Sequence, residues 1–193
     1  MLSSISAQDP PGINWKEIET SHYRVIFAEE LSIEANRVAN LLEANYISTG
    51  GSMGGRHRKL PIVLRNQSAI PNAFVSLAPW KSEWHHIPLP LKEMGSAEWN
   101  ELLAIHEGRH MFQFGQADRR INRLFRLLGG ERMQSIAGFL MMPGWFWEGD
   151  AVVAETVLSK SGRGRQPYFN REIRALVLDG TRYSYRKALH GSL

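Results

Sequence analysis

Five consecutive residues, His106-Glu107-Gly108-Arg109-His110, carry the most definite chemistry in this chain. On a helix, positions four apart stack on one face, so both imidazoles can be directed at a single cation. A carboxylate one residue after the first histidine reaches the space before that cation without taking a ligand position. Nitrogen ligands, an adjacent acid–base group and an open coordination position are what hydrolysis by a metal-activated water requires. Zinc is the cation that such nitrogen and oxygen donors suit. A helix with two histidines and no metal would carry the same letters, so a third ligand separates the two readings.

The segment Pro143-Gly144-Trp145-Phe146-Trp147-Glu148-Gly149-Asp150-Ala151 offers one. An acid inside so aromatic a stretch is expected to be buried, and an unpaired buried carboxylate is costly unless a cation compensates it. Glu148 then completes a metal set of His106, His110 and Glu148, with Glu107 as the acid–base group. Glu155, seven residues further, returns to the same helix face and is placed to orient a ligand histidine through a hydrogen bond from outside the ligand set. Asp150 stays open as an alternative third ligand. His85 and His86 are adjacent, so on a strand they face opposite sides and do not share a metal.

These residues need elements to hold them. Tyr23-Arg24-Val25-Ile26-Phe27 and Leu60-Pro61-Ile62-Val63-Leu64 read as strands, rich in β-branched and aromatic residues. Between them, Leu31, Ala35, Val38, Leu41 and Leu42 recur at helical spacing until the glycine-rich stretch Gly50 to Gly55 ends the run. Residues 74–91 read as extended, punctuated by Pro79, Pro88 and Pro90, with Trp80 and Trp84 as core or cleft-lining residues. From Ser96, expected to cap the helix that carries His106, the signals are helical: 119–128, 145–158, 168–178 and 183–189 follow. Gly162-Arg163-Gly164-Arg165 reads as a solvated turn. Strands first and helices afterwards indicate an α+β domain over residues 13–193, with residues 1–12 a flexible tail or the remnant of an export signal.

Composition bounds the rest. The chain has 193 residues, 43% hydrophobic, 10% aromatic and 22% charged, enough for one domain with its own core and too apolar for a disordered segment. Without cysteine there is no disulfide framework, no thiol nucleophile and no thiolate-ligated metal, which leaves histidine and carboxylate as ligands. The net charge of +4 is skewed: residues 101–193 hold fourteen basic and nine acidic side chains. Such a skew permits an anionic partner, but no nucleic-acid recognition motif accompanies it, and a solvated basic face is the expectation. The longest apolar stretch, Phe139 to Trp147, falls far short of a membrane span. The small residues before Ala7 and the polar, proline-rich stretch after it point to an extracytoplasmic location.

Taken together, His106-Glu107-x-x-His110, Trp147-Glu148-Gly149-x-Ala151 and Glu155 resemble the gluzincin metallopeptidases. The resemblance is nearest to the bacterial peptidase-MA-like domains and more distant to the large zinc aminopeptidases with their W-x-x-E-G-x-A helix. It implies a zincin-like fold, with an N-terminal mixed sheet carrying one helix and a mainly helical half holding the metal. It also implies zinc on His106, His110 and Glu148, Glu107 as general base, and a peptide or protein as substrate. The oxyanion donor of that family is a Tyr or His, for which Tyr183, Tyr185, His190 or a residue beyond Leu193 are the candidates. Gln113 and Gln116 stand where the metzincin pattern needs Gly and His, so that relation is not supported. The alternative is a catalytically silent zinc-binding interaction module in a larger exported protein with a further C-terminal domain.

Overall fold

The computed structural model describes residues 10–54, 56–67, 72–86, 98–117 and 121–190. Strand β1, Trp15–Glu19, pairs antiparallel with β2, Tyr23–Ala28. After a short 3-10 turn comes helix α1, Ser32–Gly51, which leads into β3, Leu60–Arg65. β2 and β3 lie side by side and parallel, so the first half of the chain contains a true βαβ unit. The architecture is α+β, as the order of elements along the sequence indicates, with this βαβ unit inside the sheet-forming half. The helix that the sequence shows between two strands returns the chain to the same sheet edge, and parallel pairing follows from that connection.

β4, Ala73–Leu77, and β5, Trp80–His85, form a hairpin, and β5 joins β3 in parallel. The resulting mixed sheet has the order β1-β2-β3-β5-β4, which leaves β4 as an edge strand. Burial alternates along β2 and β3: Tyr23, Val25, Phe27, Leu60, Ile62 and Leu64 point into the core while their neighbours are partly wet. One face of the sheet is therefore packed and the other is open to water, the habit of sheets that carry helices on a single side. Trp84, the largest fully buried side chain, donates its indole N–H to Ser82 Oγ at 2.9 Å, so its polar atom is paired.

The packed face meets α1 and α2, Trp99–Ala117. Ser96 lies outside the described residues, as do residues 87–91 of the extended stretch and residues 1–9 of the expected tail. The expected helix at 119–128 is the start of a longer element, α3, Ile121–Met141, broken at Gly129 and at Gly130, which takes φ +70°. That conformation suits glycine because it has no Cβ. α4, Gly144–Leu158, follows directly and packs across α2. Two short helices complete the chain, α5, Arg171–Leu178, and α6, Tyr185–His190. Among the described residues no helix is long and apolar enough to cross a membrane.

Candidate metal centre

α2 brings His106, Glu107 and His110 into the interior, each less than a tenth exposed. The helical spacing does what it must: the two rings stand edge to face, their centroids 4.8 Å apart, with Nε2 of His106 3.2 Å from Nε2 of His110. α4 crosses α2 so that Glu148 Oε2 lies 3.4 Å from His106 Nε2 and Oε1 lies 3.5 Å from His110 Nε2. One ligand atom from each of the three falls within 4.8 Å of the others, and the group could hold a metal ion. The spacing is informative. Two ligands at about 2.0–2.2 Å from a four-coordinate ion are separated by about 3.3–3.6 Å. Without a cation the same contacts are a hydrogen bond between the rings and ion pairs of the rings with the carboxylate.

Glu148 differs in one respect from its expectation. Its side chain is 65% exposed rather than buried. Trp147 turns inward, but Trp145 and Phe146 lie on the surface, so the aromatic run is not a core segment. The acid reaches the histidines from the rim of a cleft, and its place beside them, not its burial, marks it. The two rings hold its carboxyl well below the usual carboxylate range. Burial works against a charge on His106, yet Glu148 and Glu155 outweigh it and raise that imidazole to about 9.

Glu155 lies two turns further along α4 and is 1% exposed. Its Oε2 is 3.1 Å from His106 Nδ1. Burial would raise its carboxyl, but His106 and Arg163 hold it at about 2. Arg163, expected in a solvated turn, instead pairs with this buried acid. Its Nε donates to Glu155 Oε1 at 2.7 Å, its backbone N–H to the same oxygen at 3.0 Å, and its Nη2 to Oε2 at 3.0 Å. Nη2 also lies 2.8 Å from His106 Nδ1. That nitrogen thus has a donor and an acceptor within reach, and only its protonated form turns the Nε2 lone pair toward Glu148. A basic residue eight positions after a buried acid is the one signal that could have found Arg163.

Glu107 is 4% exposed, and its Oε2 has no hydrogen-bond partner among the described residues. Burial pushes its carboxyl up. It lines a cleft of about 270 Å³ together with both histidines, Glu148, Phe114, Trp147 and the edge-strand residues Ala73, Phe74 and Val75. An unpartnered carboxylate on an open cleft beside three converging donors fits a metal centre with one free position.

No protein family, curated protein or solved structure matches this chain.

The remaining candidates fall elsewhere. Asp150 is not part of the donor group; it pairs with Arg109 at 2.6 and 2.9 Å. Gln113 lies 2.7 Å from His110 Nδ1. Tyr185 accepts a hydrogen bond from Trp145 Nε1 at 2.9 Å, Tyr183 sits beneath Lys187, and neither lines the cleft. The side chain of His190 lies outside the described residues. His86 faces Glu34 at 4.0 Å, away from the centre. Trp80 and Trp84 are core residues rather than walls of the cleft.

Proposed function

We propose that this domain is a zinc-dependent peptidase of gluzincin type with a zincin-like fold, and that His106, His110 and Glu148 hold the ion. The observation that supports it is the convergence of those three donors at tetrahedral spacing beside the buried Glu107, whose Oε2 has no hydrogen-bond partner among the described residues. A zinc ion there would lower the pKa of a water and polarise a carbonyl. The chain's own part is to place and move protons. Glu107, with its carboxyl raised by burial, accepts a proton from the attacking water and delivers it to the departing amine. Glu155 accepts from His106 Nδ1 and keeps that ring aimed inward. Among the described residues β4 is an edge strand beside the cleft, on which an extended peptide can lie as a further strand, and Phe74, Phe114 and Trp147 give its side chains an apolar wall.

A second reading keeps the zinc and drops the turnover. It is favoured by one observation: of the candidate oxyanion donors, Tyr183 and Tyr185 do not line the cleft. The test measures metal content of protein purified without added zinc, and cleavage of a peptide library by wild type and Glu107→Gln. Stoichiometric zinc with cleavage lost about 10²–10⁴-fold in the variant supports the peptidase. Zinc with no cleavage by wild type supports the silent module. Cleavage that survives Glu107→Gln, or protein that binds no zinc, defeats the proposal.

A further inference from the structure

His110 is held on the side away from Glu148 by a chain of groups that no part of the mechanism uses. Gln113, fully buried, turns its amide nitrogen to two acceptors, the Trp147 carbonyl at 3.0 Å and Asp150 Oδ2 at 2.8 Å. Rotating the amide by half a turn would set its oxygen against both of them, so the orientation is determined by its surroundings. The amide oxygen must then be the atom facing His110 Nδ1 at 2.7 Å. An oxygen there can only accept, so Nδ1 carries the proton and Nε2 keeps its lone pair. That lone pair is the one directed at Glu148.

Asp150 is itself fixed. Arg109 donates to it through Nε at 2.6 Å and Nη2 at 2.9 Å, a two-point contact that sets direction as well as distance. The other arm of the guanidinium, Nη1, reaches the C-terminal end of α1, donating to the Thr49 carbonyl at 2.7 Å and to Ser52 Oγ at 2.8 Å. Arg109 is buried, so these contacts are shielded from water. One side chain between the two histidines thus ties α1, α2 and α4 together, and Asp150 sits two residues from Glu148.

We infer that Arg109, Asp150 and Gln113 form a positioning relay, which fixes His110 in the Nδ1–H tautomer and sets the spacing between the helix that carries the histidines and the helix that carries Glu148. Its bearing on metal affinity rests on the metal-centre reading, whereas its effect on the imidazole does not. None of the three touches the reacting atoms.

Two measurements on the full chain test it: zinc affinity by competition with a chromogenic chelator, and the His110 tautomer from long-range proton–nitrogen correlation spectra of the metal-free protein at mildly alkaline pH. Gln113→Met keeps the length of the side chain and removes both the acceptor and the donor. Gln116→Leu on the same helix, which loses only a hydrogen bond to the Met53 carbonyl, is the control. The relay predicts an Nδ1–H ring in wild type and in the control, a shift toward Nε2–H in Gln113→Met, and about 10–100-fold weaker zinc binding in that variant alone. Asp150→Asn, which frees Gln113 from its charged anchor, moves both readouts the same way and serves if Gln113→Met does not fold. A folded variant with wild-type affinity overturns the inference while leaving the metal centre standing. Weaker binding with an unchanged tautomer also overturns it, since loosened packing alone would do that. If wild type binds no zinc, the metal-centre reading fails and the tautomer alone decides whether the relay exists.

Discussion

Replacing Arg163 by Met removes a guanidinium from the carboxylate that backs His106. Glu155 accepts four hydrogen bonds: two from the Arg163 side chain, one from the Arg163 backbone and one from His106. The substitution strips away half of them and leaves a charge in a site that is 1% exposed. Breaking a fully buried pair costs about 3–5 kcal/mol. Arg163 is itself 41% exposed, so solvent already screens its side of the pair and can approach the vacated space. The expected loss is therefore smaller, about 2 kcal/mol, or about 4–8 °C in Tm for a chain of this length. That figure applies to the metal-free protein. With a cation on Nε2, His106 gives up more of its Nδ1 proton's charge to Glu155 and compensates part of what Arg163 supplied, so the loss in zinc-saturated protein should be smaller. Thermal melts of both proteins, each with chelator and with excess zinc, give the four numbers. A variant whose metal-free Tm equals that of wild type, or one destabilised more with zinc than without, would refute the reasoning.

Other expectations follow from the same contacts. Gly162→Ala sets a Cβ against the Glu155 carbonyl, which must displace the Arg163 turn; its metal-free Tm should fall in the same sense as that of Arg163→Met. Gly50→Ala drives a Cβ into the Phe112 ring where α1 meets α2 and should cost about 1–3 kcal/mol in urea unfolding. Glu83, 11% exposed, resists burial's upward pull because Lys81 and Arg65 hold its carboxyl below the usual range. A depressed carboxylate stabilises the fold above its ordinary value and loses that contribution as pH falls through the lowered one. Glu83→Gln should therefore be about 1 kcal/mol less stable than wild type at neutral pH and converge with it in acid, as read by urea titrations across pH. A gap that does not narrow in acid refutes that assignment.

What the amino-acid order could reveal is what depends on neighbours along the chain. His106 and His110 share a face because a turn of helix says so, and Glu155 returns beside them from Glu148 on the same ground. β3 is legible in its run of branched residues. The reading stops where the third dimension begins. That β2 and β3 pair in parallel follows from where α1 lands. Trp145 and Phe146 have core composition, yet α4 presents them to water and lifts Glu148 to a rim. Arg163 and Gln113 look like any polar residues until helices distant in sequence meet around them. An ion pair such as Arg109 with Asp150 has no period and no fixed separation, so nothing local announces it.

The clamp made by that pair has a consequence for how such a centre can change over time. Thirty-seven residues separate His110 from Glu148, and the path between them, broken at Gly129 and Gly130, does not itself hold Glu148 in place. The helix-to-helix contact does. Closing a connection of twice that length would cost only about 0.6 kcal/mol more. Insertions and deletions in α3 can therefore accumulate while Glu148 keeps its distance to the histidines. In a lineage built this way, the ligands and their clamp persist as the spacing between them drifts.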